Sequence, residues 1–423
     1  MKFFTLFCGL CYNGKICVKH EHQNNGVYTM EYKHADRLDH FSTGIFAAMD
    51  EKKSELLKAG RKVYNLSIGT PDFRPPQHIM DAVEAAVRDP ENYKYSLTDS
   101  EELLNSLVAY YKQRFGVDIT PSMITGVHGT QEGMGHLGMA LLNPGDCVLL
   151  PDPGYPIFEA GSYLGGAEIH YYELTKENHF LPQLSEIPEE ILQRTKYIVL
   201  SYPSNPVGAA APKSMYEEMI RYAQKYHFLI INDMAYSDII FDGREGFSFL
   251  SLPGAMDVGV EFFSLSKSFN LTGFRLSFLI GNQSVIDALK LLRSQYDFGI
   301  SYPAQKAAIA ALTGPLDMVK AQCREYQARR DALCGGLRDI GWDVPNSEGT
   351  MFTWLPVPEG YTSMSCIETL MDTCGVIGTP GTAFGPKGEG YIRFALVKPV
   401  EELQEIVSII GKNFPFKSKT TTA

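Results

Sequence analysis

Five short apolar runs constrain this chain most, because each stops at a polar residue and helical stretches separate them. They lie in "DCVLLPDPGY", "KYIVLSYPSNP", "FLIINDMAY", "EFFSLSKS" and "LSFLIGN". Each reads as a buried strand, and segments such as "KSMYEEMIRYAQKYH" (213–227) read as the helices between them. That alternation predicts an α/β fold, a mostly parallel sheet with helices on its faces. In such sheets ligands bind beyond the carboxyl ends of the strands, so the polar residues at those ends become the candidates for function.

Upstream, "IMDAVEAAVR" sets Ile79, Val83, Ala86 and Val87 on one helical face. "EELLNSLVAYYKQRF" does the same with Leu103, Leu104, Leu107, Val108 and Tyr111. From about Leu316 a long helical stretch precedes "MFTWLPV" and "YIRFALV", which reads as a smaller α+β lobe. The expected division is an extension over 1–29, a joining segment over 30–72, a large part over 73–315, a small part over 316–415 and a tail over 416–423. Residues 1–29 read as a disordered extension or an upstream start, with Met30 as an ordinary start. The apolar run after Lys2 breaks at Tyr12-Asn13-Gly14-Lys15 without a cleavage site.

Composition excludes several classes. With 38 basic against 49 acidic residues, a net charge of −11, and no basic cluster, nucleic acid is not an expected partner. No apolar run reaches the ~18 residues of a membrane span. Eight cysteines in 423 residues do not form a disulfide scaffold. Cys8 and Cys11 make a lone CxxC without a second pair or histidines at metal spacing, so no metal is expected. A cytoplasmic protein fits this usage.

The candidates follow in chain order. "HGTQEG" carries Gly129, Thr130 and Gln131 into a helical stretch, an arrangement that suits an anion or simply caps a helix. "YPSNPVG" presents Asn205, in a dipeptide common in turns. "NDMAY" presents Asp233 and Tyr236. A carboxylate ending an apolar strand needs a partner, although a helix cap would also account for it. "SLSKSFNLTGFR" sets Lys267 among Ser264, Ser266 and Ser268, with Arg275 eight residues on. A buried lysine loses basicity and becomes a nucleophile toward carbonyls. "YIRFAL" places Arg393 on a strand among apolar residues, where a guanidinium needs an anion.

Taken together, the order and spacing of these motifs resemble the fold-type I, class I/II aminotransferases that use pyridoxal 5'-phosphate, from about Asp36 to Lys412. By that resemblance Lys267 forms the covalent link to the cofactor and then moves the substrate proton. Ser264, Arg275, Gly129 and Thr130 hold the phosphate, with Gln131 close by. Asp233 pairs with the pyridine nitrogen, Asn205 and Tyr236 hydrogen-bond the 3' oxygen, and Tyr155 stacks on the ring. Arg393 grips the substrate carboxylate, and Gly69 lets backbone approach the substrate. Tyr95 reaches the partner's phosphate in a homodimer with shared active sites.

The implied reaction moves an amino group from an L-amino acid to a 2-oxo acid, 2-oxoglutarate being expected. LL-diaminopimelate-type chains look most similar, with alanine-, aspartate- and aromatic-type enzymes sharing much of the pattern. The alternative is a carbon–sulfur lyase or another carbanion-type pyridoxal-phosphate enzyme on the same fold. A regulator of this family would carry a DNA-binding domain ahead of the fold, and the residues before Asp36 are too few for one. The chain departs from the family pattern at Ser100, where glycine is usual, and at Ser42-Thr43-Gly44 before Ile45-Phe46.

Overall fold

In a computed structural model, residues 32–41 and 44–416 are described. The expected extension over 1–29, the CxxC, Ser42-Thr43 and residues 417–423 lie outside them. Two units are present. The one ending at Thr43 shows a single turn of 3₁₀ helix, Asp36–Leu38, among its described residues. The other starts at Gly44 and holds everything that follows.

Twelve strands are formed among the described residues: β1 (Tyr64–Asn65), β2 (Ile124–Val127), β3 (Cys147–Asp152), β4 (Glu168–Glu173), β5 (Thr195–Ser201) and β6 (Leu229–Asp233), then β7 (Gly259–Ser264), β8 (Ser277–Gly281), β9 (Phe352–Pro356), β10 (Val376–Ile377), β11 (Thr379–Pro380) and β12 (Tyr391–Ala395). Seven of them make one sheet in the order β2-β8-β7-β6-β5-β3-β4. All five expected strands are in it. They read as unbroken apolar runs because helices cover both faces, so successive side chains are buried on alternate sides. Leu149, Ile198, Ile230 and Phe263 meet helices Gln77–Arg88, Glu101–Phe115, Lys213–Tyr226 and Tyr302–Thr313. Val148, Val199, Ile231 and Phe262 meet helices Thr130–Leu141, Pro156–Leu164 and Gln283–Tyr296.

Two strands of this sheet escaped the sequence reading. β4 is an edge strand with one buried residue, and β2 has only four residues, Thr and Gly among them. Helix Gln77–Arg88 forms as expected, but Val87 turns outward at 42% exposure.

The sheet is parallel except at β8, which pairs antiparallel with both β7 and β2. The reason is length: residues 265–276 contain a four-residue helix, Leu265–Ser268, and one 3₁₀ turn, Thr272–Phe274, too little for a parallel crossover. The chain therefore reverses at the end of β7. That reversal keeps Lys267 and Arg275 at the same end of the sheet, which is also the carboxyl end of β2, β3, β5 and β6.

A second core gathers Tyr64, Leu66, Tyr326, Leu333, Trp342, Phe352 and Phe394. Here β11, β12 and β9 make an antiparallel sheet, and β1 pairs parallel with β10. Helix Asp317–Asp339 packs on helix Val400–Asn413 beside them.

One polar residue in the large sheet stands apart from the site. Glu261, in the middle of β7, is fully buried and hydrogen-bonds Ser248 Oγ at 2.5 Å, while its Oε2 has no partner among the described residues. Burial pushes its carboxyl from 4.5 up to about 7. Between those values the folded chain keeps a proton that the unfolded chain releases. Stability therefore falls as pH rises through that window, and the full penalty remains above it. Glu261→Gln should raise the melting temperature at pH 8, by at most roughly 3 kcal/mol in stability, and have much less effect at pH 5. Equal shifts in thermal melts at both pH values would contradict this account.

Candidate active site

The candidates from the strand ends converge. Gly129 follows β2 with φ 85°, and a Cβ there would stand 2.4 Å from Arg275 Nη2. Only glycine permits that approach. Thr130 Oγ1 lies 2.9 Å from Ser277 Oγ at the start of β8, and Ser277 Oγ donates to the Phe263 carbonyl. Ser264 closes β7 and accepts from Ser266 N at 3.2 Å. Gln131 is exposed in the first turn of helix Thr130–Leu141. Hydroxyls, helix N–H groups and a guanidinium thus share one corner, a cradle for a phosphate.

Lys267 is half-buried in the short helix after β7, and its Nζ donates to the Gly69 carbonyl at 2.7 Å. Burial lowers the amine to about 8, helped by the charges of Arg393 and Arg275. Gly69 has a structural reason of its own, because a Cβ there would fall 2.1 Å from Phe352 Cζ.

Asp233 ends β6, is 8% exposed and accepts from Ala235 N at 3.2 Å. A turn and not a helix follows, so the capping explanation does not apply. Burial pushes its carboxyl up to about 6, and no cation pairs with it among the described residues. Tyr236 is buried, its hydroxyl pushed well up, and its ring meets Phe352 edge-on at 6.0 Å. Tyr155 opens helix Pro156–Leu164. Burial raises its hydroxyl, and the charges of Arg393, Asp233 and Arg275 all act on it.

Arg393, in β12, is 7% exposed. Its Nη1 donates to Asn205 Oδ1 at 2.8 Å and its Nη2 to the Ser67 carbonyl at 3.0 Å, while Nε has no partner among the described residues. The guanidinium carbon sits 4.0 Å from the Phe352 ring centre and 4.5 Å from that of Phe384. Burial brings the group down to about 10. All its hydrogen-bond acceptors are neutral.

Tyr95 stands apart, 86% exposed in the loop before Ser100, with no contact to the cluster among the described residues. Ser100 serves as the cap of helix Glu101–Phe115, accepting from Leu103 N at 3.3 Å with φ −68°, so glycine is not needed there. Sequence reasoning missed Ser67, Phe352, Phe384 and Ser277. Phe352 was legible only as part of an apolar strand, and a carbonyl such as that of Ser67 leaves no signature in residue type.

These residues fit pyridoxal phosphate. The glycine-walled corner beside Arg275 suits its phosphate, Asp233 lacks a cation that a pyridinium would be, and Lys267 offers an amine of lowered basicity. Below about 8 that amine is protonated and inert, and above it is neutral. Labelling of cofactor-free protein with an aldehyde and borohydride should therefore rise with pH and level off above about 8, with Lys267 modified first by mass spectrometry. An ordinary lysine profile, still rising at pH 10, would refute the lowered basicity.

The family Aminotransferase class I and II matches residues 61–410. An LL-diaminopimelate aminotransferase from Dehalococcoides mccartyi is 40% identical over 389 residues, 92% of this chain and 100% of that protein. An L-glutamine–4-(methylsulfanyl)-2-oxobutanoate aminotransferase from Bacillus subtilis is 38% identical over 92% of this chain and 99% of its own length. Among solved structures, substrate-bound BacF from Bacillus subtilis has a TM-score of 0.87 at 32% identity, covering 92% of this chain and 100% of that one. Aspartate aminotransferase from Thermus thermophilus has 0.84 at 26%, covering 90% and 100%. These relatives do not favour a lyase. The chain belongs to the class I and II aminotransferases and is a transaminase that uses pyridoxal phosphate.

Proposed function

We propose that the enzyme takes its amino group from LL-diaminopimelate, or from an aromatic or neutral L-amino acid, and passes it to 2-oxoglutarate. The observation that carries this reading is Arg393, a buried guanidinium whose acceptors are all neutral. A planar cation in that setting suits the α-carboxylate that amino and oxo acids share. The likeness to LL-diaminopimelate aminotransferases supports the first donor, and the glutamine-type relative supports a neutral one.

Bound at the strand ends, pyridoxal phosphate supplies a carbonyl for the amine and a ring that accepts electrons from the substrate Cα. Lys267 is the group of this chain that would carry the link and move the proton, its basicity already lowered by burial. Asp233 would hold the ring nitrogen protonated. Asn205 and Tyr236 would bind the 3' oxygen, and Tyr155 would cover the ring face. Gly129, Thr130, Ser264 and Arg275 would hold the phosphate, with Gln131 beside them, and Gly69 would line the substrate.

The division into a cofactor-holding part (73–315) and a smaller part (30–72 with 316–415) belongs to the same proposal, supported by a second core built mostly from residues of the smaller part. So does a homodimer in which the exposed Tyr95 reaches the partner's phosphate. A cytoplasmic setting is supported by five unpaired cysteines among the described residues. No helix among them is long and apolar enough to cross a membrane.

A panel of amino donors with 2-oxoglutarate, read as glutamate formed, tests the reaction. Glutamate from LL-diaminopimelate supports the first donor, and none from any donor rejects the reading. Arg393→Lys should weaken binding of amino and oxo acids alike, about ten- to a hundredfold, since a fork loses one charged hydrogen bond. Weakening of only one substrate in steady-state kinetics would remove Arg393 from the shared carboxylate site. Mixing Lys267→Ala with Tyr95→Phe chains should restore one site with wild-type-like cofactor affinity in each hybrid dimer. A fully active monomer in sedimentation would exclude the shared site.

A further inference from the structure

The turn that carries Lys267 is short, so its main-chain groups need partners from elsewhere. Helix Leu265–Ser268 spans four residues, and the carbonyls at its end have no further turn to supply donors. The Lys267 carbonyl accepts instead from Gln322 Nε2 at 2.8 Å, a side chain 4% exposed on helix Asp317–Asp339. Gln322 Oε1 accepts in turn from Asn270 Nδ2 at 2.8 Å, and the same nitrogen donates to the Arg74 carbonyl at 3.3 Å. The carbonyls of Lys267 and Arg74 can only accept, which fixes the orientation of both amides. Asn270 stands at φ 58°, a left-handed conformation that asparagine tolerates.

These contacts hold the lysine from more than one side. Its Nζ donates to the Gly69 carbonyl, and Gly69 lies on the same segment as Arg74. Asp72, between them, is forked by Arg329, about two turns beyond Gln322 on the same helix. One helix therefore grips both the main chain of the lysine and the segment that receives its amine. Next to Lys267, Ser268 Oγ donates to Asp238 Oδ2 at 2.6 Å, and Asp238 also pairs with Arg114. The amine hangs on a flexible four-carbon stem, so it is placed only as well as the backbone beneath it.

We propose that Gln322 is a positioning residue for transamination, fixing the Lys267 main chain so that the amine stays beside the Gly69 carbonyl at the strand ends. The inference rests on the reading of Lys267 as the group that carries the cofactor link and moves the proton. Gln322 acts through the backbone of the lysine and not on the reacting atoms. Without its amide the turn shifts and the amine leaves its buried place. Its basicity then returns toward that of a solvated lysine.

The test uses Gln322→Leu, which removes both hydrogen bonds at similar size. Gln322→Asn, which keeps the amide but draws it back by one methylene, serves if circular dichroism shows the apolar variant unfolded. Aldehyde and borohydride labelling of the cofactor-free chain, read at Lys267 by mass spectrometry, should have its midpoint at about 8 in the unaltered protein. In the variants it should move up toward the ordinary lysine value of ~10.4. In the holoenzyme kcat should fall at least about tenfold and KM change less than about threefold, because a misplaced amine costs rate while Arg393 is untouched. Leu333→Ala, which opens the second core about three turns further along the same helix, is the stability control. It should melt earlier with the midpoint unmoved. A folded Gln322 variant that melts earlier with midpoint and kcat unchanged overturns the proposal and leaves Gln322 a structural side chain. An equal shift of the midpoint in Leu333→Ala overturns it as well. Labelling of the unaltered protein at another lysine removes the reading of Lys267 and this inference with it. Labelling at Lys267 without a shift in the variants removes the inference alone.

Discussion

Arg393 joins three stretches of chain that have nothing in common in sequence position. Its guanidinium takes the side chain of Asn205 from the loop after β5 and the carbonyl of Ser67 from the segment after β1, and it lies between the rings of Phe352 and Phe384. Hydrogen bonds to a charged group are worth roughly 1.5–3 kcal/mol each, and a desolvated cation over an aromatic face gains roughly 2 more. Those gains hold a cation where water cannot reach it without giving it a counter-charge. Phe352 has a further part, because its ring leaves no room for a Cβ at Gly69, whose carbonyl receives Lys267. The placement of the amine therefore follows from the placement of the guanidinium.

Other buried charges in the second core are treated differently. Arg329 forks onto both oxygens of Asp72 at 2.7 and 2.9 Å, and Arg330 does the same with Asp242 at 2.9 and 2.7 Å. These paired arginines pin the segment after Gly69 and the turn beyond β6 to helix Asp317–Asp339. Arg393 and Asp233 are a buried cation and a buried carboxylate without opposite charges to pair with among the described residues, as Glu261 is away from the site. Unpaired burial costs stability, and it is tolerated where a ligand completes the pair. The structural forks keep the backbone around those two groups in place.

Much of this was legible beforehand. Apolar runs ending at Asn205, Asp233 and Lys267 predicted both the strands and the end of the sheet where polar chemistry gathers. The single lysine among small hydroxyls, with Arg275 eight residues on, carried the family resemblance. Less legible were the edge strand β4, whose polar face hides its period, and the reversal of β8, which depends on how little helix residues 265–276 can form. Val87 was misplaced because one apolar face of a helix can be wider than its neighbours cover.

The sequence by itself determined the α/β layering, the strand ends and the identity of the groups placed there, because those follow from local periodicity and residue chemistry. Tertiary structure alone decided which groups meet. The stacking of Phe352 on Arg393, the Ser67 carbonyl beneath it, and the amide of Gln322 on the Lys267 carbonyl all join residues far apart in the chain. Their contacts depend on distances set by packed helices and strand register, and residue type carries no record of those distances.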